Sequence, residues 1–595
     1  MAPTQQQFTR YSMRWGGIAG DGLQSTGLLL QKYFNKLGFF VQGTPGTQST
    51  IRGGHVWQHV EISSKPMKSY DRPLNLLIAL NDQALEVHGR DLREDGMILF
   101  NQDNVSDNAL EPYRERGLSV LGIHLTALAR EVDLQTPILA NTVAVGTVLH
   151  LLGFQLEPYR EVLKKRFVNR EKIINMNLQA LKAGYQSVTD EQQVGKLVPV
   201  EQDQSHRIVV NGNDMIALGA AASGLKFLAQ YPITPASSIL TYLSNRAKKY
   251  GIVVRQAEDE LAAINMIIGA SFAGARAMTA SSGPGLSLMA ESFGYASMTE
   301  TAIVVVNAMR GGPSTGIPTK MEQSDLNAMI HLSHGEAPRV VLAPRNIEEA
   351  YYLTVRAFNL ADRFQIPVII LSDFALSERT ENIEPVDLDV EIDRGKLWTE
   401  PTAEFPQYKR YQITDDGISP RVFPGTKDAQ YILVGAEHDE ESHSLSGNRC
   451  GLPSSWEIRD KMIAKRYRKF AQLQQEMRSP DWYGPQNAEI TFICWGSMEG
   501  AVQEVVDRLQ TQGVSCNLLA FAEIYPLPVE KVSALLAQIK TGIMIEVNYT
   551  GQFEDLLHVH CDWQADYRIH PLSGETPSAS SLLREIKQLN LEELQ

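Results

Sequence analysis

Cysteine is scarce in this sequence: four residues, Cys450, Cys494, Cys516 and Cys561, in a chain of 595. No two of them form Cys-x-x-Cys. The chain by itself therefore offers neither a thiolate zinc knot nor the ligand set of an iron–sulfur cluster, and no metal site is expected in it. So few thiols in so long a chain suit a reducing compartment, and Cys494, inside an apolar run, reads as a buried thiol. Basic excess is also missing. The net charge is −14, whereas nucleic acid demands a basic face, so no nucleic-acid partner is expected. Long apolar runs are lacking too. No stretch approaches the roughly 20 residues that cross a bilayer, and residues 1–14 have no apolar core or cleavage pattern of a signal peptide. The expectation is a cytoplasmic protein without a membrane segment.

What is present is 43% apolar residues, enough for packed cores in roughly three to five domains. Residues 12–24 read as a strand, a Gly-rich turn and a helix to about Leu37. The glycines do not follow G-x-G-x-x-G, so a ligand-free βα turn and a phosphate cradle both stay open. Thr50–His55 precedes an alternating strand around Val56, Val60 and Ile62. Helices are expected at 141–152 and 158–181, and a polar linker at 191–206. From 207 to 373 a small-residue helix, Met215–Leu228, leads into strands near 252, 277, 302, 340 and 368, with helices between them. Alternation of this kind implies α/β architecture with mostly parallel, doubly wound sheets. Residues 374–487 lose the pattern and read as an irregular connecting segment with a basic helix, Arg459–Met477. His438 and His443 among carboxylates there read as a solvated loop rather than a metal site. Residues 488–595 return to βα alternation.

Four stretches in the central region carry the chemistry: Tyr231-Pro232-Ile233-Thr234-Pro235, Glu258-Asp259-Glu260, Ser281-Ser282-Gly283-Pro284-Gly285 and Arg310–Gly316. Each falls where an expected strand ends or a helix begins, which is where open α/β sheets bind ligands. The two prolines stiffen a loop that displays Thr234. The three carboxylates can simply favour a helix N-terminus; alternatively, one of them, shielded from water, holds a proton near neutral pH. The glycines at 283 and 285 let a backbone come close. Arg310, before a Gly-Gly-Pro loop, is either a surface arginine or a bidentate clamp for a carboxylate.

Taken together, these stretches resemble the 2-oxoacid:ferredoxin oxidoreductases, as an α subunit with a γ domain fused at its N-terminus. Gly16–Gly22 with Ile51–His55 look like the γ domain, at 1–190. The four central stretches look like the thiamine-pyrimidine domain, at 207–373. Glu546-Val547-Asn548 with Gly551-Gln552 look like a transketolase C-terminal-type domain, at 488–595. The resemblance implies thiamine diphosphate contacted by Tyr231, Pro232, Ile233, Thr234, Glu260, Ser282 and Gly283. Related thiamine enzymes place a glycine nine residues after the glutamate that activates the cofactor. Here 269 − 260 = 9, so Gly269 selects Glu260 over Glu258. Arg310 matches the arginine that holds the C1 carboxylate of the oxoacid, and Thr234 the loop beside it. The resemblance further implies coenzyme A as co-substrate and a β subunit holding the diphosphate, Mg2+ and a [4Fe-4S] cluster. It also implies ferredoxin as electron partner and an (αβ)2 assembly. The fused arrangement leans towards 2-oxoglutarate, whose second carboxylate asks for another cationic partner, with Arg52 and His55 as candidates. Pyruvate and branched-chain oxoacids are the alternatives within the family, and a non-catalytic scaffold is the alternative outside it.

Overall fold

Four consecutive strand-to-helix steps between residues 225 and 309 build the centre of the fold. In this computed structural model, which describes residues 7–46, 53–71, 73–136, 138–201, 205–403, 405–446 and 449–589, the strands Val253–Gln256, Leu225–Gln230, Arg276–Ser281, Ile303–Met309, Pro367–Asp373 and Val340–Leu342 lie side by side in that order, all parallel. An antiparallel edge strand, Glu523–Tyr525, closes the sheet. The strand Ile303–Met309 is buried along its whole length, as expected where helices cover both faces. Helix starts follow the capping rules. Asp259 accepts from the Ala262 N–H at 2.7 Å ahead of the helix Glu260–Phe272, and Asn346 does the same for Glu349 ahead of Ile347–Phe364.

One expected element is corrected here. The small-residue helix ends at Ala222, and Leu225–Gln230 is a strand at the heart of the sheet. Gly224, at φ +80°, makes the break. The small residues serve the purpose their size suggests: a Cβ on Gly219 would lie 2.6 Å from the Tyr351 carbonyl of the helix packed against it.

The chain divides into two units. The first takes residues up to Asn211 with Glu378–Pro385 and Ser578–Ser581, and the second takes the rest. The first unit holds an eight-stranded sheet in the order Ser119–Ile123, Leu92–Asn101, Leu74–Ala79, Arg10–Ile18, His55–Ser63, Phe40–Gly46, Thr380–Ile383, Ile208–Asn211. The first four strands are parallel and the rest antiparallel. Only eight residues separate Phe40–Gly46 from His55–Ser63, too few for the helical crossover a parallel pair needs. The expected helix 158–181 is two, Glu157–Arg166 and Glu171–Gln186. Within the expected linker, Lys196–Leu197 pairs with Gln7–Phe8.

In the second unit, a five-stranded sheet, Asp481–Tyr483, Cys516–Phe521, Ile490–Trp495, Thr541–Ile545 and Tyr567–Ile569, forms the C-terminal region. Its Trp495, Leu519 and Phe553 share one apolar core with Val305 and Ile369 of the central sheet. The connecting segment is less irregular than expected: its helix runs from Pro453 to Glu476. That helix delivers Lys465 and Lys469 to a fully buried Glu300, at 2.5 and 3.0 Å. Arg410 donates to the Thr299 and Glu300 carbonyls at 3.2 and 2.6 Å. Nearby, buried Asp362 takes Arg276, Arg394 and Arg421 at 2.9, 2.7 and 3.0 Å. Burial works against the Glu300 charge, yet three cations hold its carboxyl well below the usual range. Each lysine gets only a share of that carboxylate, and burial brings Lys465 down to about 8. His438, expected in a solvated loop, is buried with its ring centroid 3.8 Å from that of Tyr411.

Candidate functional site

All four chemistry-bearing stretches leave the carboxyl ends of four adjacent parallel strands. Tyr231–Pro235 follows Gln230, Glu258–Glu260 follows Gln256, Ser282–Gly285 follows Ser281, and the Arg310 loop follows Met309. Parallel pairing brings them to one edge: Gln230 is in register with Gln256, and Ser281 with Asn307.

The structure separates the three carboxylates by burial and by partner. Glu258 is exposed, Asp259 is spent on the helix cap, and Glu260 is buried. Among the described residues the Glu260 carboxylate meets one side chain, the Ser281 hydroxyl, in a long contact at 3.5 Å. A Cβ on Gly285 would lie 2.6 Å from both Cγ and Oε1 of Glu260. Only glycine fits against this carboxylate. Next to it, the Ser282 hydroxyl is buried with no hydrogen-bond partner among the described residues.

Arg310 is buried, not a surface residue. Its Nη1 donates to the Thr234 carbonyl at 2.9 Å, which ties the first stretch to the fourth. Its Nε has no partner among the described residues. Tyr231, Pro232 and Thr234 are exposed, and Ile233 is half-buried. Asp325, which sequence reading passed over, stands here as well. A Cβ on Gly283 would lie 2.8 Å from its Oδ2, and the Asn307 amide donates to the same oxygen at 3.0 Å. Burial raises the Asp325 carboxyl, while burial lowers Arg310 against the opposing pull of Asp325. The available signal was an Asp directly before the apolar pattern Leu326, Met329, Ile330 of a short helix.

His55 belongs to the first unit. It is buried, with its Nε2 2.8 Å from His88 Nε2. His88 Nδ1 lies 3.1 Å from Arg14 Nη1, and Arg14 pairs with Asp91 at 2.7 Å. Arginine only donates, so His88 Nδ1 accepts. The hydrogen of His88 then sits on Nε2 and is donated to His55. Burial and the Arg14 charge push His88 down to about 2, and burial lowers His55 as well. Both shifts favour the neutral imidazole at His55, against the cationic role expected of it. Arg52 lies outside the described residues.

The comparisons with known proteins agree with this geometry. Residues 218–448 match the family model described as pyruvate flavodoxin/ferredoxin oxidoreductase, thiamine diP-binding. Residues 12–187 match pyruvate ferredoxin/flavodoxin oxidoreductase, and 488–562 match core domain II of pyruvate:ferredoxin oxidoreductase. The α subunit of 2-oxoacid:ferredoxin oxidoreductase 2 from Aeropyrum pernix is 31% identical over 96% of this chain and 97% of its own. The chain belongs to the 2-oxoacid:ferredoxin oxidoreductases, as an α subunit. A further relative is the 2-oxoglutarate oxidoreductase subunit KorA of Mycobacterium tuberculosis, 29% identical over 89% of this chain and 84% of its own. Among solved structures, the 2-oxoglutarate:ferredoxin oxidoreductase of Magnetococcus marinus, with 2-oxoglutarate, coenzyme A and succinyl-CoA bound, superposes with a TM-score of 0.88 at 31% identity. It covers 99% of this chain and all of that one. No helix among the described residues is long and apolar enough to cross a membrane.

A 2-oxoacid:ferredoxin oxidoreductase needs thiamine diphosphate, and the residues at this edge fit its aminopyrimidine end. A buried carboxylate with spare acceptor capacity, a floor that excludes any Cβ, and an unpartnered buried hydroxyl are what a flat, hydrogen-bonding ring requires.

Proposed function

We propose that this α subunit supports the CoA-dependent oxidative decarboxylation of 2-oxoglutarate to succinyl-CoA and CO2, with electrons passed to ferredoxin. The observation that carries the reading is the pairing, on one sheet edge, of a buried, under-satisfied Glu260 with a buried Arg310 whose Nε is open. Thiamine diphosphate supplies the carbon nucleophile and the electron sink when bound. Glu260 would hold the N1′ position of its ring by a hydrogen bond from its buried carboxyl. Tyr231, Pro232, Ile233, Thr234, Ser282 and Gly283 would contact the cofactor. Arg310 orients the C1 carboxylate of the oxoacid. Its Nη1 is fixed on Thr234, which leaves the Nε edge for a two-point grip.

The diphosphate, Mg2+ and a [4Fe-4S] cluster belong, on this reading, to a β subunit in an (αβ)2 complex in the cytoplasm. The exposed Tyr231, Leu261 and Leu288 around the site suit a covering subunit. The reading divides the chain into a γ-type domain at 1–190, a linker at 191–206, the pyrimidine domain at 207–373, a connecting segment at 374–487 and the C-terminal domain at 488–595. For the distal carboxylate the candidates stay those that the family resemblance offers, Arg52 and His55.

The test is CoA-dependent viologen reduction by the complex purified through this chain, with 2-oxoglutarate, pyruvate and 2-oxoisovalerate in parallel. A dominant 2-oxoglutarate rate is expected. A dominant rate with either other acid overturns the substrate assignment and leaves the mechanism. No rate with any of them, with clusters and thiamine diphosphate bound, overturns all three substrates and points to the scaffold reading or to an untested oxoacid.

A further inference from the structure

The loop that follows Arg310 folds back on itself. The Gly311 N–H donates to the Lys320 carbonyl at 3.0 Å, Ile317 N–H to Gly311 at 2.8 Å, and Gly312 N–H to the Glu322 carboxylate at 2.7 Å. The backbone beside Arg310 is therefore set by where residues 320–324 are held, and the C-terminal domain holds them. Met321 N–H donates to the Gly574 carbonyl at 3.0 Å, and Lys320 pairs with Glu575.

The centre of this attachment is Gln323, which is fully buried. Its N–H donates to the Val547 carbonyl at 2.7 Å, and its Oε1 accepts from Val547 N–H at 3.2 Å. Its Nε2 donates to the Trp495 carbonyl at 3.1 Å, and its own carbonyl accepts from the Asn548 amide at 3.2 Å. The receiving turn is itself locked. Buried Glu546 accepts from Trp495 Nε1, the Asn548 amide and the N–H groups of Phe553 and Glu554, at 3.3, 2.9, 2.9 and 3.0 Å. Gln552 continues the attachment, donating to the Ser324 carbonyl at 2.8 Å and accepting from Asn327 N–H at 2.9 Å. A glutamine that meets a partner backbone at both its own backbone and its side chain fixes position and orientation together.

We propose that Gln323 is a positioning residue for Arg310: held by the backbone of Trp495 and Val547 and by the side-chain amide of Asn548, it makes the C-terminal domain the brace for the oxoacid-carboxylate clamp. This rests on the reading that Arg310 grips the C1 carboxylate. It gives the Glu546–Gln552 turn a task in the reaction although that turn carries no reacting group.

The test uses the assembled complex with bound thiamine diphosphate and measures KM for 2-oxoglutarate and for coenzyme A separately. Gln323→Ala is expected to raise the oxoacid KM by about tenfold, since small displacements of a positioning group carry large penalties, and to leave the coenzyme A KM within about twofold. Gln552→Ala, further from the loop base, is expected to move the same constant by a smaller factor, and it serves if Gln323→Ala fails to assemble. Arg310→Lys is the control for the underlying reading and is expected to raise the oxoacid KM more than either. If Gln323→Ala and Gln552→Ala lower only the yield of complex, or move both KM values alike, the brace is merely structural and the inference falls while the clamp stands. If Arg310→Lys leaves the oxoacid KM unchanged, the clamp reading falls, and the inference with it.

Discussion

The two ends of the same parallel strands treat buried charge in opposite ways. The strand Arg276–Ser281 shows both in six residues. At its amino end, Arg276 is satisfied by Asp362, Asn359 and the Ser223 and Asp393 carbonyls. Beyond its carboxyl end, the Ser282 hydroxyl has no partner among the described residues, and Glu260 has one long contact. The amino edge continues in the same manner with Glu300 under Lys465 and Lys469. The carboxyl edge continues with Arg310, whose Nε is unmet among the described residues, as is the Nε of Arg421 beside Asp362. A fully paired buried charge is architecture. A buried carboxylate left short of partners at a strand's carboxyl end, as Glu260 is, keeps capacity for a ligand.

The comparison can be broken from either end. The largest expected effect is at the amino edge. Glu300→Ala leaves buried cations unpaired, a change that costs about 3–5 kcal/mol. The melting temperature of the complex should fall by several degrees, while turnover per intact complex stays near wild type. Lost turnover at unchanged melting would erase the distinction between the edges. Next comes Gly285→Ala at the carboxyl edge, whose Cβ would sit 2.6 Å from the Glu260 carboxylate oxygen and 2.1 Å from Ser281 Oγ. Here kcat should fall by about 10²-fold, the scale of a displaced catalytic group, while overpacking lowers melting less than Glu300→Ala does; wild-type kcat would contradict it. The smallest effect is in pH. Because the folded-state pKa of Glu300 lies below its ordinary 4.5, its contribution is present above that value and is lost as pH falls below it. Melting of the wild type should therefore drop more steeply in acid than that of Glu300→Gln. Parallel curves would show that Glu300 does not titrate as a paired carboxylate.

Much of the carboxyl edge was legible because turns announce themselves. Pro232, Pro235, Gly283, Gly285 and Gly311 punctuate strand ends, and alternating apolar blocks place those ends on one side of a sheet. Burial was not legible. Glu258 and Glu260 stand two residues apart in sequence, yet one is exposed and the other buried, and only the spacing to Gly269 told them apart. The strand Leu225–Gln230 was lost because an Ala/Gly run passes into apolar residues with Gly224 alone to mark the break. Gln323 was invisible because its partners lie at 495 and 547–548, and no local pattern announces a long-range backbone match. The amino-edge cluster left one readable trace. Lys465 and Lys469 stand four apart on a helix, hence on one face, yet a basic helix reads as solvated until an acid is found beneath it.

The central claim is that Glu260 is the functional carboxylate of this edge. It is tested most directly by Glu260→Gln in the assembled complex, measuring bound thiamine diphosphate, melting temperature and CoA-dependent viologen reduction on one preparation. The account predicts an intact complex at wild-type melting temperature with turnover lowered by about 10² to 10⁴, the range expected for a positioned proton-holding group. Wild-type turnover, or a turnover loss that merely tracks a loss of assembly, would contradict it.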